Sequence, residues 1–269
     1  MDPQGVERFL LAAANPDTMS RSVGVVIPAF RPDVDRLDGY VRDLRAELAP
    51  ETVRIEVDDP SEATAAALAD LPATVNASPY RRGKGAAITA GFEALETDLL
   101  AFTDADGSTP AAELARVVDA LDGADLAVGS RRHPDATITS HQTFARRFLG
   151  DGFAWLARRL LDAHLYDYQC GAKALSREAW ERVRAHLYEP GFAWDVELVA
   201  MAGALELGVR EVPITWEDMP GSTVSPVRTS IRLARALLVA RHRAKQIRNS
   251  RVHNAIAATH EDPTALVEK

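Results

Sequence analysis

The sequence predicts an α/β protein built on a mostly parallel β-sheet flanked by helices. Short apolar runs alternate with helical stripes through the first 130 residues, and this alternation is typical of strand–helix–strand units. The chain has 269 residues, 46% of them hydrophobic and 26% charged, which is enough for one large domain with its own core. Polar clusters follow several strands, and ligands of open parallel sheets bind at such strand ends.

The elements of the first half are predicted from apolar periodicity. VGVVIP is a continuous apolar run that ends at proline, which predicts a buried first strand. The next stretch carries apolar residues three and four positions apart, which predicts a helix. The predicted strands are Val23–Pro28, Val53–Val57, Ala73–Ala77, Leu99–Thr103 and Leu126–Gly129, and the predicted helices are Val34–Leu48, Ala63–Leu71, Gly85–Leu95 and Ala111–Leu121.

The second half loses this strict alternation after residue 129, so we expect two halves with different roles within one domain. The predicted elements are helices Phe144–Leu161 and Asp195–Leu207, an irregular Asp167–Lys173 followed by a helix through Trp180, a strand at Val209–Trp216, and a long helix from near Val227. The expected organisation is an N-terminal extension at 1–21, one domain at 22–226 with halves 22–132 and 133–226, and a basic C-terminal helix and tail at 227–269.

The composition indicates a globular protein of a reducing compartment. Cys170 is the single cysteine, which excludes an internal disulfide and argues against a thiolate metal site. The apolar run Phe9–Ala14 is too short for a secretory signal, and no stretch approaches the roughly 20 apolar residues of a membrane span. We therefore expect a cytoplasmic protein that does not cross a bilayer.

Charge is distributed unevenly along the chain, whose net charge is −8. The acidic body argues against nucleic-acid binding, which depends on neutralising phosphates. No acidic residue occurs between Met219 and His260, and within this stretch the segment from about Val227 to Val252 has the pattern of a basic amphipathic helix. This pattern favours peripheral attachment to the cytoplasmic face of a membrane. The alternative is a packing helix whose arginines pair with the acidic body. The basic residues are Arg228, Arg232, Arg235, Arg241, Arg243, Lys245, Arg248 and Arg251.

An Asp-Ala-Asp sequence follows the predicted strand LLAFT. Asp104 and Asp106 are two positions apart after a buried strand, so both can reach one hard cation, which prefers oxygen ligands. The sequence therefore predicts that these two carboxylates hold a divalent metal, Mg²⁺ or Mn²⁺, which bridges the diphosphate of a bound nucleotide.

The sequence Arg82-Gly83-Lys84-Gly85 opens a predicted helix and only superficially resembles a phosphate loop. A P-loop has Gly four residues before Gly-Lys and Ser or Thr after it, whereas Ser78 and Gly85 occupy those places. A positive loop at a helix amino terminus nevertheless suits an anionic ligand.

Eight short motifs occur in a recognisable order between Val23 and about Val224. They are VIPAF (Val26–Phe30), VDD (Val57–Asp59), GKGAAITAGF (Gly83–Phe92), DADG (Asp104–Gly107), GSRRH (Gly129–His133), DYQCGAK (Asp167–Lys173), FAWDVEL (Phe192–Leu198) and EVPITWEDMPGS (Glu211–Ser222). In this order they resemble glycosyltransferase family 2, which has the GT-A fold. The last four motifs are the more specific, and they resemble the branch that transfers a sugar to polyprenyl or dolichyl phosphate.

The resemblance implies a nucleotide-sugar site in the first half of the domain. Phe30, with Asp58 or Asp59, would line the nucleobase pocket, and Lys84 would lie near the nucleotide. Asp104 would contact the ribose and the metal, and Asp106 would hold the metal on the diphosphate. The implied nucleotide-sugar residues are Pro28, Ala29, Phe30, Asp58, Asp59, Lys84, Asp104, Ala105 and Asp106. The donor would be UDP-glucose or GDP-mannose, with UDP-glucose favoured by DYQCGAK and FAWDVEL.

The resemblance implies an acceptor site in the second half. Arg131 and Arg132 would face phosphate, and Trp194 and Trp216 would either form the wall around the sugar or simply pack. The implied acceptor residues are Arg131, Arg132, Gln169, Lys173 and Trp216, and the implied catalytic residues are Asp104, Asp106, Arg131, Asp167 and Asp195.

Four positions depart from the family pattern. Arg31-Pro32 replaces the usual Asn-Glu, Pro60 replaces the Gly of Asp-Asp-Gly-Ser, Ala172 replaces a Phe, and Thr223 replaces a frequent Lys. Because Arg31 and Pro60 flank the expected base pocket, the identity of the nucleotide is open.

The acceptor decides which chemistry the site has to supply. A polyprenyl phosphate arrives as an anion, since its second pKa is about 6, and one displacement would give an inverted product that feeds protein or lipid glycosylation. A saccharide hydroxyl would require a carboxylate base, for which Asp167 and Asp195 are the candidates. A non-catalytic nucleotide-binding homologue and a sugar nucleotidyltransferase are further alternatives, but both metal carboxylates are retained and no glycine- and arginine-rich loop follows the first strand.

Overall fold

A computed structural model describes residues 21–139, 144–217, 226–257 and 264–269, with side chains described there except at 144–149, 226–231 and 255–257. The strands are β1 (Val23–Phe30), β2 (Thr52–Asp58), β3 (Thr74–Ser78), β4 (Leu99–Phe102), β5 (Leu126–Ser130), β6 (Thr137–Ile138), β7 (Lys173–Ser176), β8 (Val209–Pro213) and β9 (Thr215–Trp216). The α-helices are α1 (Val34–Leu48), α2 (Glu62–Ala69), α3 (Lys84–Glu93), α4 (Ala111–Asp119), α5 (Phe144–Leu160), α6 (Arg177–Val183), α7 (Trp194–Ala204), α8 (Pro226–Ile247) and α9 (Arg251–Ala257).

Seven strands form one sheet in the order β3-β2-β1-β4-β7-β5-β8. Strand β1 pairs in parallel with β2 and β4, β2 pairs in parallel with β3, and β5 pairs in parallel with β8. Strands β6 and β9 form a separate parallel pair. The predicted mostly parallel sheet is confirmed, and it brings the carboxyl ends of β1, β2 and β4 to one edge.

Strand β7 is the strand of the seven-stranded sheet that the sequence did not predict. It runs antiparallel between β4 and β5, where the sequence predicted an irregular segment and then a helix. With only four residues, Lys173–Ser176, it is too short to show a clear period of two. Ser176 ends the strand and starts α6 by accepting a hydrogen bond from the Ala179 amide. Residues on both sides of the predicted boundary at 132/133 therefore share one sheet.

The core lies on both faces of this sheet because successive strand residues point to opposite sides. Val25 and Ile27 of β1 are fully buried and pack with helices α1 and α4. Val26 is buried on the other face, where it packs with Phe92 of α3 and with α7 and α8. Helix α7 is buried almost along its whole length, so it forms the centre of that second layer.

Some predictions fall outside the described residues, namely the N-terminal extension up to residue 20 and the end of the last motif at 218–222 together with Thr223. Within the part of the chain that the structure describes, no helix combines the length and the apolar character needed to cross a membrane.

Candidate functional site

The Asp-Ala-Asp sequence forms a turn directly after β4. Asp106 is exposed, and its carboxylate accepts a hydrogen bond of 3.0 Å from the Ser108 amide. The Tyr40 hydroxyl fixes this loop from α1: it donates to the carbonyl of Thr109 at 2.7 Å and lies 2.8 Å from the hydroxyl of Thr103. Burial raises the pKa of Tyr40, so its hydroxyl keeps its proton. Nothing in the sequence indicates this role of Tyr40, because only the fold places α1 beside this loop.

Four side chains of alternating charge form a chain that starts at Asp104. Lys84 places its ammonium 2.9 Å from Asp104 Oδ1 and 3.1 Å from Asp195 Oδ2. The other oxygen of Asp195 lies 2.6 Å from the ammonium of Lys173, which also donates to the carbonyl of Cys170 at 2.6 Å. Asp195 and Lys173 are almost fully buried, so this network links the Asp-Ala-Asp loop to the start of α7.

The charges of this network stabilise one another. Burial acts to lower the pKa of Lys84, but the carboxylates of Asp104 and Asp195 raise it above its ordinary value. Burial acts to raise the pKa of Asp104, but the Lys84 ammonium holds that pKa below its usual range. Both groups are therefore charged at neutral pH.

Asp104 also packs against backbone. A Cβ on Gly171 would lie 1.9 Å from Asp104 Oδ2, so only glycine leaves room for this carboxylate. The preceding Cys170 is fully buried, and burial raises the pKa of its thiol to about 11. Gly171 therefore packs closely behind Asp104, and the Cys170 thiol keeps its proton.

The two neighbouring acidic residues at the end of β2 have different surroundings. Asp58 is buried, and its oxygens accept from Arg82 Nε and from the Gly83 amide, both at 2.8 Å. Asp58 therefore holds the loop that begins α3, and its oxygens face that loop instead of an open pocket. Asp59 is exposed, with a positive φ of 49°, and of the two it is the one that can reach a nucleobase.

A cleft of about 370 Å³ lies at the ends of β1 and β2, where the sequence departs from the family pattern. Beside it, Phe30 is 36% exposed, and the guanidinium carbons of Arg81 and Arg31 lie 4.1 Å and 5.1 Å from its ring centroid. Pro28 and Ala29 are in β1 itself and contribute strand backbone. The cleft is lined by Arg31, Pro32, Asp59, Pro60, Ser61 and Thr64.

On the acceptor side, Arg131 and Asp167 form a two-pronged ion pair. Arg131 Nε lies 2.7 Å from Asp167 Oδ2, and its Nη2 lies 3.1 Å from Oδ1. Burial acts to raise the pKa of Asp167, but Arg131 holds it far below its usual range. The Arg131 side chain is 23% exposed, and its guanidinium carbon lies 5.6 Å from the ring centroid of Trp216, so it borders solvent beside an aromatic wall.

The other predicted acceptor residues make contacts within the domain or are buried. Arg132 pairs with Asp151 of α5 and packs against Gly150, and Gln169 is partly buried. Lys173 is completely buried, so direct contact with an acceptor is wrong for this conformation; the lysine supports Asp195 instead. Trp194 is also buried, donates to Thr89 at 3.2 Å and packs edge-on against Phe102, so its role is packing.

The two carboxylates of the Asp-Ala-Asp loop fit a metal ion that is also bound by substrate and water. They fit less well a metal ion held by protein side chains alone. Among the described residues, no group of three or more His, Cys, Asp and Glu side chains is arranged to hold a metal ion. Asp104 and Asp106 supply two oxygen-donor groups, and Mg²⁺ is commonly held by one or two carboxylates together with substrate phosphates and water.

Solved structures support the fold class. Glucosyl-3-phosphoglycerate synthase from Mycobacterium tuberculosis, crystallised with Mn²⁺, UDP and glucosyl-3-phosphoglycerate, aligns with a TM-score of 0.61 and 15% identity over 82% of this chain and 80% of that one. The protein therefore has the fold of the GT-A glycosyltransferases.

The family model for glycosyl transferase family 2 matches residues 24–184, and the chain belongs to this family. Mouse dolichyl-phosphate beta-glucosyltransferase is 31% identical over 169 residues, which cover 60% of this chain and 52% of the relative. Polyprenol monophosphomannose synthase of Mycolicibacterium smegmatis is 31% identical over 208 residues, which cover 72% and 77%. The chain spans about half the length of the first of these relatives.

Proposed function

We propose that the protein transfers a hexose from a nucleotide sugar to a polyprenyl phosphate, with inversion at the anomeric carbon. The observation that carries this proposal is the state of the two possible bases. Asp167 is neutralised by Arg131, and Asp195 lies between the ammonium groups of Lys84 and Lys173. Neither buried carboxylate is free to take a proton, whereas a phosphate acceptor needs no base.

The proposed donor site follows the carboxyl ends of β1, β2 and β4. Asp104 and Asp106 would hold a divalent cation, which supplies charge stabilisation to the leaving diphosphate. Lys84 fixes Asp104 in place, and Asp58 holds the loop that carries Lys84. The nucleobase would enter the cleft beside Phe30, where Asp59 offers an acceptor and Arg31 a donor.

The proposed acceptor site is next to Arg131. Its guanidinium is oriented by Asp167, and its exposed part can receive the phosphate oxygens beside Trp216. Positioning the anion in line with the anomeric carbon gives one displacement and therefore an inverted product. The nucleophile would be an oxygen of the lipid phosphate, and the nucleoside diphosphate would leave.

We propose UDP-glucose as the donor, on the likeness of DYQCGAK and FAWDVEL to the glucosyl branch. The mouse relative is named as a glucosyltransferase and the mycobacterial relative as a mannose synthase. Calorimetry with Mn²⁺ should show tighter binding of UDP-glucose than of GDP-mannose; the reverse order would assign the chain to the mannosyl branch.

The proposed contact with the membrane, at its cytoplasmic face, uses only part of the basic residues expected for it. Arg241, Arg243, Lys245 and Arg248 bind groups of the domain: the Leu160 carbonyl, Glu197, Asp162 and Glu206. These four residues fit the alternative of a packing helix. Exposed residues of α8 and α5 carry the surface that we propose for peripheral attachment, namely Arg232, Arg235, Leu238 and Val239 on α8 with Trp155 and Arg159 on α5.

Transfer of radiolabel tests the reaction directly. The protein is incubated with Mn²⁺, a polyprenyl phosphate and either labelled UDP-glucose or labelled GDP-mannose, and label is counted in the organic phase. We expect label from UDP-glucose, and none when the polyprenyl phosphate is replaced by the free polyprenol. Label that appears instead on an added saccharide would favour the hydroxyl acceptor.

A further inference from the structure

The loop at residues 187–192, which precedes α7, packs directly on the amino end of α3. The Pro190 carbonyl accepts a hydrogen bond of 3.1 Å from the Ala86 amide. The packing leaves no room for side chains, because a Cβ on Gly83 or Gly85 would lie 2.5 Å from the carbonyl oxygen of Pro190 or Glu189, respectively. Lys84 stands between these two glycines, so the 187–192 loop helps to set where its ammonium points.

Glu197 of α7 holds the 187–192 loop in place. One of its oxygens accepts from the amides of Tyr188 and Glu189, at 2.8 Å and 2.7 Å. The carboxylate is 2% exposed. Burial raises its pKa even though these amides and Arg243 favour the charged form, so the carboxylate depends on its partners to remain ionised.

Arg243 of α8 supplies the positive charge for this buried carboxylate. Its guanidinium pairs with the second oxygen of Glu197 and also lies over the Tyr188 ring, with its carbon 4.3 Å from the ring centroid. One arginine thus contacts both the residue that holds the 187–192 loop and the loop itself. It lies outside the residues matched by the family model, which end at 184.

We propose that Arg243 is a positioning residue for the donor nucleotide: through Glu197 it holds the 187–192 loop against α3, and so holds Lys84 on Asp104. This rests on the proposed function, which puts the nucleotide beside Lys84. Without Arg243, Glu197 is a buried anion with no cation, and such a group is costly to keep ionised. The loop then loosens and the amino end of α3 loses its support.

The test compares Arg243→Gln with Arg248→Gln as a matched control. Arg248 directly follows the same helix and pairs with Asp162 and Glu206, away from the 187–192 loop. Amide hydrogen exchange without ligand measures whether Arg243 holds the 187–192 loop on α3. The Kd for UDP-glucose and for GDP-mannose in Mn²⁺ measures the effect of this packing on binding of the donor. In Arg243→Gln we expect faster exchange at residues 83–90 and 187–192 and a Kd raised about threefold to tenfold, with neither change in Arg248→Gln.

Each outcome bears on a separate claim. Unchanged exchange in Arg243→Gln would overturn the claim that Arg243 holds the 187–192 loop on α3. Faster exchange with an unchanged Kd would overturn the positioning role of Arg243. If the wild type binds neither nucleotide sugar, the proposed function and the positioning role fail together, while exchange still reports whether Arg243 holds the loop. Should Arg243→Gln not fold, Arg243→Lys replaces it, because lysine keeps the charge but lacks the planar guanidinium that stacks on Tyr188. For Arg243→Lys we expect a smaller increase in exchange and in Kd. Exchange and Kd equal to those of the wild type would overturn the inference.

Discussion

Asp106 and Asp195 are both acidic residues of family motifs, yet the fold gives them opposite surroundings. Asp106 is exposed and accepts one described hydrogen bond, from the Ser108 amide. Asp195 is 1% exposed and faces two ammonium groups. An exposed carboxylate can bind an incoming cation at little cost, whereas a buried and paired one holds its neighbours in place. In the proposed function, this difference separates a carboxylate that would bind ligand, Asp106, from one that positions its neighbours, Asp195.

The same difference divides the cations of α8. Arg243 pairs with the buried Glu197, and Lys245 pairs with Asp162 on the surface of the domain. Arg232 and Arg235 are exposed. A count of basic residues along the helix cannot tell these groups apart, because the partners of Arg243 and Lys245 lie 46 and 83 positions away in sequence.

The largest effect is expected for Asp195→Asn, measured as the free energy of unfolding in denaturant. The substitution leaves Lys84 and Lys173 buried without their shared anion, which should cost about 3–5 kcal/mol. Asp162→Asn is the matched control, since Asp162 also faces two cations but at the surface, where we expect a loss of about 1 kcal/mol or less. An Asp195→Asn protein with wild-type stability and no turnover would instead indicate that Asp195 is a base.

Asp106→Ala should abolish metal-dependent turnover with little loss of stability. A bound divalent ion contributes several kcal/mol to transition-state stabilisation, so we expect activity to fall more than about a hundredfold. The exposed Asp43 of α1 provides a control, because Asp43→Ala removes the same charge away from the site. Full activity of Asp106→Ala, or of the wild type in chelator, would contradict the proposed metal site.

A smaller effect is expected for Gly171→Ala, which pushes the Asp104 carboxylate away from Lys84. A displacement of about 1 Å at a reacting centre can cost up to about a hundredfold in rate, so we expect a tenfold to hundredfold loss of kcat with folding retained. Gly39→Ala is the control, since a Cβ there meets nothing within 4 Å. If both variants keep the wild-type kcat, close packing behind Asp104 is not required.

The sequence was sufficient to predict the parallel sheet and the position of the Asp-Ala-Asp loop at the end of β4, because both are expressed locally. Apolar runs indicate buried strands, and an Asp-x-Asp after a strand must lie at its carboxyl end. It did not predict β7, which has four residues, or the pairing of Lys84 with Asp195 across 111 positions in sequence. Sequence spacing does not reveal such contacts. The family resemblance therefore places Lys173 at the acceptor, whereas in the structure it is buried with its ammonium 2.6 Å from Asp195.

The smallest effect concerns membrane attachment, for which Arg235→Ser tests an exposed cation of α8. Each cation near an anionic membrane surface contributes about 1 kcal/mol, which corresponds to about a fivefold change in partitioning. Arg116 on α4 is a suitable control, because it is exposed and α4 packs on the opposite face of the sheet. We expect Arg235→Ser to sediment less with anionic liposomes at low salt, with Arg116→Ser and wild type equal. Equal sedimentation of all three proteins, or none with any of them, would leave α8 as a packing helix and require another route to the lipid.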